Sequence, residues 1–228
     1  MRAILVHAYT ASGAVLGYLS LRAAIAHDFR LAFAWMFAAT IVDATDGFFA
    51  RAANVATALP SVDGKRLDDI VDYLTFVIAP MLVLDMAGDV EGAWGLAAIA
   101  AVLLGSGYGF ASVDAKTNDA YFTGFPSYWN IVALYLHLGR LGPTVNVIVL
   151  FVLTGLIFVR VGYVYPTRTP VLRSLTLGLA GAWAVLLAVL IWRMPAPSPG
   201  LLMVSLSYPV YYTILSFALQ ARRRAPVW

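Results

Sequence analysis

The sequence predicts an all-α, polytopic membrane bundle of about eight helices. Three observations carry that expectation. Of 228 residues, 61% are hydrophobic and 12% charged; the mean hydropathy is +0.82; and apolar stretches about 20 residues long recur along the chain, separated by short Pro, Gly and Asp clusters. So little polar surface cannot cover a water-soluble globule of this length. The absence of cysteine excludes disulfides, thiolate metal sites and cysteine nucleophiles, leaving oxygen or histidine to hold any metal. The net charge of +3 speaks to orientation and implies no nucleic-acid partner.

A hydrocarbon core of roughly 30 Å needs about 20 apolar residues to cross it, and such stretches fall near 6–26, 30–51, 66–86, 92–113, 126–140, 143–164, 171–193 and 199–221. The first follows Arg2 and ends in "AIA", as a secretory signal also would, but His7, Tyr9, Thr10 and Arg22 within it suit a retained helix. The second runs from "LAFAWMFAATIV" into "DATDGFFAR". "LPSVDG" turns the chain into the third, and "MAGDVEG" into the fourth. The fifth, "PSYWNIVALYLHLG", is short enough to be a re-entrant or tilted segment. "YPTRTP" closes the sixth and "MPAPSPG" separates the last two. With no internal repeat or linker, residues 1–228 are expected to form a single integral membrane domain.

If the N-terminus is cytoplasmic and every segment crosses, eleven of the fifteen Lys and Arg residues fall inside, among them Arg51, Lys65, Arg66, Lys116 and the triplet Arg222, Arg223 and Arg224. The positive-inside rule then places both termini, and the end of the second helix, in the cytoplasm. The triplet itself reads as a topology anchor or a contact to anionic headgroups.

Four aspartates stand at that cytoplasmic edge. Asp43 and Asp46 are three apart and share a helical face, as do Asp68 and Asp72, four apart at the start of the third helix. A carboxylate at the centre of a membrane helix costs about 2.5–3.5 kcal/mol, so four in company call for a compensating cation, and hard oxygen ligands suit magnesium or manganese. Gly47 and Ala50 continue from Asp46 with almost no side chain, and Arg51 ends the helix; Ser61, Gly64, Lys65 and Arg66 precede Asp68. Carboxylates, a small-residue strip and a guanidinium together describe a berth for a pyrophosphate.

The pattern D-x-x-D-G-x-x-A-R followed by G-x-x-x-D-x-x-x-D, filled at Asp43, Asp46, Gly47, Ala50, Arg51, Gly64, Asp68 and Asp72, resembles the signature of the CDP-alcohol phosphotransferases. The 12 residues between Arg51 and Gly64 exceed the usual spacer. That spacer, with "LDDIVDYLTFVIAPMLVL", "GFPSYWNIVALYL" and "VYPTRTP", is similar to the bacterial phosphatidylcholine synthase branch, which is expected to have about eight helices. The resemblance implies the CDP-alcohol phosphotransferase fold, a bacterial inner-membrane location and, as substrates, CDP-diacylglycerol and choline. It implies two divalent ions, Mn2+ or Mg2+, on Asp43, Asp46, Asp68 and Asp72, with Asp72 also the general base. Asp46, Gly47, Ala50, Arg51, Ser61 and Gly64 would bind CDP-diacylglycerol, and the protein would be a homodimer.

A quaternary ammonium is held by aromatic faces. Tyr9, Tyr73, Tyr128, Trp129, Tyr163 and Tyr165 stand at expected cytoplasmic ends, and Tyr73 and Tyr128 are the pair taken for choline. Asp69 points about 100° away from Asp68; Asp85, Asp89 and Glu91 are expected in a solvated outer loop; His7, His27 and His137 lack ligand spacing. Asn130 and Arg168 are open between phosphate contact and structural hydrogen bonding. Serine, glycerol phosphate or inositol phosphate are the alternative acceptors. A cation transporter would also carry intramembrane aspartates, but near the midplane and without need of Gly47, Ala50 and Arg51. A structural protein that has lost catalysis would not need all eight signature residues.

Overall fold

The computed structural model describes residues 1–113 and 121–224. Lys116 and the side chains of Arg223 and Arg224 lie outside the described residues. Apart from one two-stranded ribbon, the described elements are helices. The chain divides into two compact units, one of residues 1–99 with 128–146 and one of residues 100–127 with 147–228.

In the first unit, α1 (Arg2–Ile25) and α2 (Phe29–Ala52) pack as an antiparallel hairpin. The buried face of α1 is small or polar, with Ala3, Thr10, Gly13, Gly17, Ser20, Ala23 and Ala24, while Leu5, Val15 and Tyr18 are exposed. Small residues inside and large apolar ones outside is the arrangement lipid favours, because burying leucine gains nothing there and close backbone approach does. The hairpin turn uses His27 in the left-handed region, φ 55°, and Asp28, whose carboxylate accepts the Leu31 N–H at 3.0 Å as an N-cap. Ser20 Oγ donates to the Ala32 carbonyl at 3.0 Å and ties the two helices just inside that turn.

After α3 (Val55–Ala58), the third expected span forms a helical run with mixed pitch: α4 (Gly64–Asp72), a π-helical segment (Tyr73–Ile78) and α5 (Ala79–Met86). Asp63 caps α4, accepting the N–H groups of Lys65 and Arg66 at 3.1 and 3.2 Å. Pro80 accounts for the wide turn ahead of it. It has no N–H, and its ring collides with the carbonyl four residues earlier, at Phe76, unless the backbone opens. This run lies along α1, where a Cβ on Gly13 would stand 2.6 Å from Val71 Cγ1 and one on Gly17 would stand 2.9 Å from Leu74.

The fifth expected segment becomes α7 (Trp129–Gly139), 11 residues and so about 16 Å long, too short to cross a bilayer alone. Asn130 Nδ2 donates to Thr40 Oγ1 at 2.8 Å, joining α7 to α2. The expectation that Asp89 is solvated is corrected. Its carboxylate meets His137 Nδ1 at 2.6 Å with 16% of the side chain exposed, and its carbonyl accepts Asn146 Nδ2 at 2.7 Å. The cause is the turn after α5, where Gly88 at φ 69° folds the chain back. Asp85 and Glu91 are exposed as expected.

The second unit contains most of α6 (Gly92–Ala111) and α8 (Pro143–Ile157), which approach closely at Gly105: a Cβ there would lie 2.9 Å from Thr154 Cγ2. The sixth expected helix ends at Ile157. Residues Gly162–Val164 form β2 instead, antiparallel to β1 (Tyr121–Thr123) with Phe122 opposite Tyr163. The backbone groups of β2 find partners on α11 (Ser207–Arg224): Gly162 N–H donates to Gln220 at 3.0 Å, Val164 N–H to Ser216 Oγ at 3.1 Å, and Tyr212 OH donates to the Val164 carbonyl at 2.9 Å. A ribbon satisfied this way needs no helical hydrogen bonds. Arg168 stacks over the Tyr165 ring at 5.5 Å. α9 (Arg173–Trp192) and α10 (Pro199–Ser205) complete the unit with α11.

Among the described residues, five helical stretches are long and apolar enough to cross a membrane: Arg2–Ile25, Phe29–Ala52, Gly92–Ala111, Arg173–Trp192 and Pro199–Arg222. With the mixed-pitch run and the shorter α7 and α8, the chain is an all-α, multi-pass membrane protein.

Candidate active site

The first unit contains a cleft floored by the small face of α1, which packs against both α2 and α4. Thr10 and Gly13 come from α1, Ala39, Val42, Asp43 and Asp46 from α2, and Asp68, Val71, Asp72 and Thr75 from the helical run after the loop. The glycine at 13 lets Val71 pack directly against α1, since a Cβ there would stand 2.6 Å from Val71 Cγ1.

Asp43, Asp68 and Asp72 each offer one carboxylate oxygen, all within 4.8 Å of one another, and all three side chains are half-buried. At an effective dielectric constant of about 20, each such pair of like charges repels by ~3 kcal/mol. A divalent cation converts that repulsion into binding, and an all-carboxylate donor set fits the hard ions Mg2+ and Mn2+. Asp46 lines the same cleft but is outside this triad. It is buried, and Thr10 Oγ1 donates to its Oδ2 at 2.7 Å, which fixes one oxygen and turns the carboxylate within the cleft. One residue along α1, Tyr9 OH and Thr45 Oγ1 lie 2.8 Å apart, and the Tyr9 ring meets Phe49 edge-on at 5.5 Å. These contacts set the rotation of α2 relative to α1, and with it the direction in which Asp43 and Asp46 project.

The other signature residues lie beyond the cleft lining, toward the end of α2 and the start of α4. Gly47 and Ala50 are half-buried, and Arg51 is exposed. A Cβ on Gly47 would come within 3.2 Å of Arg51 Nη1, so the guanidinium folds back along α2 over the glycine. Ser61 is exposed in the turn before Asp63, and Gly64 opens α4. Tyr73 begins the π-helical segment directly after Asp72, and Tyr128 precedes α7 with its ring 6.4 Å from that of Phe76, three residues beyond Tyr73. Both tyrosines therefore border the same stretch of the third helical run. Asn130 is engaged with Thr40, a structural contact one turn before Asp43.

Thr10, Gly13 and Thr75 were not anticipated as part of the site. A threonine and a glycine one turn apart on an otherwise apolar helix are the available signal for the first two. Thr75 offers none, since its phase depends on the π-helical turn.

No protein-family model matches the chain. Curated proteins named phosphatidylcholine synthase do match it: one from Legionella pneumophila is 37% identical over 93% of this chain and 86% of its own length. One from Rhizobium meliloti is 33% identical over 96% and 91%, and one from Pseudomonas aeruginosa is 34% identical over 91% and 87%.

Proposed function

The chain belongs to the phosphatidylcholine synthase family, and on that premise we propose that it transfers the phosphatidyl group of CDP-diacylglycerol to choline. The observation that carries this reading is the convergence of Asp43, Asp68 and Asp72 in one cleft, on the residues that fill the phosphotransferase signature. The choline hydroxyl oxygen forms a new bond to the phosphorus bearing diacylglycerol, the bond from that phosphorus to the CMP oxygen breaks, and CMP leaves with the electron pair.

Asp72 takes the hydroxyl proton as the choline oxygen attacks. Arg51, exposed at the end of α2, neutralises phosphate oxygens of the donor. Gly47, Ala50, Ser61 and Gly64 admit the nucleotide. Tyr73 and Tyr128 present aromatic faces to the trimethylammonium group, which has no N–H to donate. Asp43, Asp68 and Asp72, with Asp46 beside them, would hold one or two Mg2+ or Mn2+ ions, which supply positive charge to the diphosphate and the departing CMP. The whole chain acts as a catalytic domain in the bacterial inner membrane, as a homodimer, with its termini and this cleft on the cytoplasmic side, where the choline and nucleotide pools are.

The test is CMP release by purified protein in detergent, given CDP-diacylglycerol and Mn2+, with and without choline. Choline-dependent release that disappears with EDTA and in Asp72→Asn is the expected result. Stimulation by serine or glycerol phosphate in place of choline would overturn the acceptor, and no release with any alcohol would overturn the reaction.

A further inference from the structure

His7 has no part in the chemistry above, yet its position is hard to account for as packing alone. Its Nε2 is buried without a hydrogen-bond partner, on the cleft-lining face of α1, one turn before Thr10, which holds Asp46. Its imidazole lies against Gly64, the signature glycine that opens α4 one turn before Asp68: a Cβ at Gly64 would come within 3.0 Å of His7 Cε1. The glycine thus leaves room for an imidazole as well as for a ligand. A ring that fits only because its neighbour lacks a side chain, and whose far nitrogen meets no protein atom able to bond it, is placed toward something else. Buried polar groups are otherwise nearly always satisfied.

What lies on that side narrows the occupant. Thr10 is one turn along α1 and holds Asp46 of α2, Asp68 is one turn along α4, and Lys65 and Arg66 sit at the exposed start of α4, Arg66 with its Nε 3.3 Å from Asp63 Oδ2. A ring nitrogen able to donate, next to a cleft whose carboxylates call for a divalent cation, favours an oxygen-rich group that such a cation also binds. An aliphatic chain gains nothing from Nε2, and a quaternary ammonium has no lone pair to accept its N–H.

We propose that His7 is a binding residue for the nucleotide part of the donor, with Nε2–H donating to a phosphate or ribose oxygen of the cytidine nucleotide. This rests on the reading of the cleft as a CDP-diacylglycerol site. It also assigns the first helix a direct contact with substrate, and makes the 64-to-7 packing a means of orienting that contact.

The experiment measures CDP binding by calorimetry in saturating Mn2+ for wild type, His7→Ala and His7→Gln, together with KM for each substrate. Glutamine can place an amide nitrogen near the Nε2 position. The expected result is about tenfold weaker CDP binding in His7→Ala, or ~1.4 kcal/mol, a matching rise in KM for CDP-diacylglycerol, an unchanged KM for choline, and recovery in His7→Gln. Melting temperatures identify any variant that fails to fold, and His7→Gln then carries the comparison with wild type. Equal CDP affinity in wild type and both variants overturns the proposal. Wild type that binds CDP through His7 but turns over no choline upholds it while sinking the choline reading, and wild type that binds no CDP sinks both.

Discussion

Thr10 shows how one side chain ties the fold to the site. Its hydroxyl donates to a buried carboxylate, so removing it leaves Asp46 short of a partner, a loss of about 1–3 kcal/mol. Thr10→Val, nearly the same shape, is expected to melt several degrees lower in detergent than wild type, with Thr10→Ser close to wild type; an unshifted valine variant would mean that Asp46 finds another donor. The triad makes a less obvious prediction. Because Asp43, Asp68 and Asp72 repel one another, Asp68→Asn should raise the melting temperature of metal-free protein while abolishing the rise that Mn2+ produces in wild type. Activity should fall by at least a hundredfold in the same variant. A metal-free protein that is destabilised by the substitution would show that the carboxylate is held by protein donors and not by an ion. The aspartates were legible in the sequence because intramembrane carboxylates are costly and conspicuous. Thr10 was hidden by being ordinary: a hydroxyl in a membrane helix usually bonds its own backbone, as Thr40 does to Met36, and only its partner reveals a different role.

Among the elements, α1 is the one whose contribution exceeds its sequence signal. Its apolar composition predicts a span and nothing more, but its glycines decide how closely the third helical run can approach. Gly13→Ala would drive a Cβ to 2.6 Å from Val71 Cγ1, and overpacking of this kind costs about 1–3 kcal/mol. Val71→Ala removes the opposing atom, so Gly13→Ala with Val71→Ala should recover much of the stability and activity lost in Gly13→Ala alone. Additive losses in the double-mutant cycle would show that the two helices do not meet there. The π-helical segment marks where hydropathy stops being informative. Residues 66–86 read as one uniform helix, yet Pro80 imposes a wide turn between Asp72 and α5, and the phase of Tyr73 and Thr75 follows from that turn. Likewise the end of α8 was set by Gln220, Ser216 and Tyr212, nearly 60 residues downstream, which take the backbone of Gly162–Val164 into a ribbon. No local pattern contains that partner.

At the scale of the whole molecule, the sequence conveys membrane class and orientation through different physics, and only the first is read from apolar length. Orientation rests on where basic residues fall relative to the spans, an argument from the energetics of insertion. It has a direct consequence inside the first unit. The end of α2, the start of α4 and the acidic cleft should share the cytoplasmic face, and the turn between α5 and α6 the opposite one. The lack of native cysteine makes this easy to measure, since an introduced thiol is then the only one this protein offers to a maleimide. Ala56 in the connection after α2 and Glu91 in the far turn are both exposed, and neither is placed in the site. In intact cells stripped of their outer membrane, a membrane-impermeant maleimide is expected to label Glu91→Cys and spare Ala56→Cys, with the pattern reversed in inverted vesicles. Reversal of both results would place the cleft outside, away from the cytoplasmic choline and nucleotide pools, and the proposed reaction would lose its supply. Labelling of both sites from one side would instead mean that the run from Gly64 to Met86 does not cross, leaving the aspartates at a membrane surface where water, and not a cation, could compensate their charge.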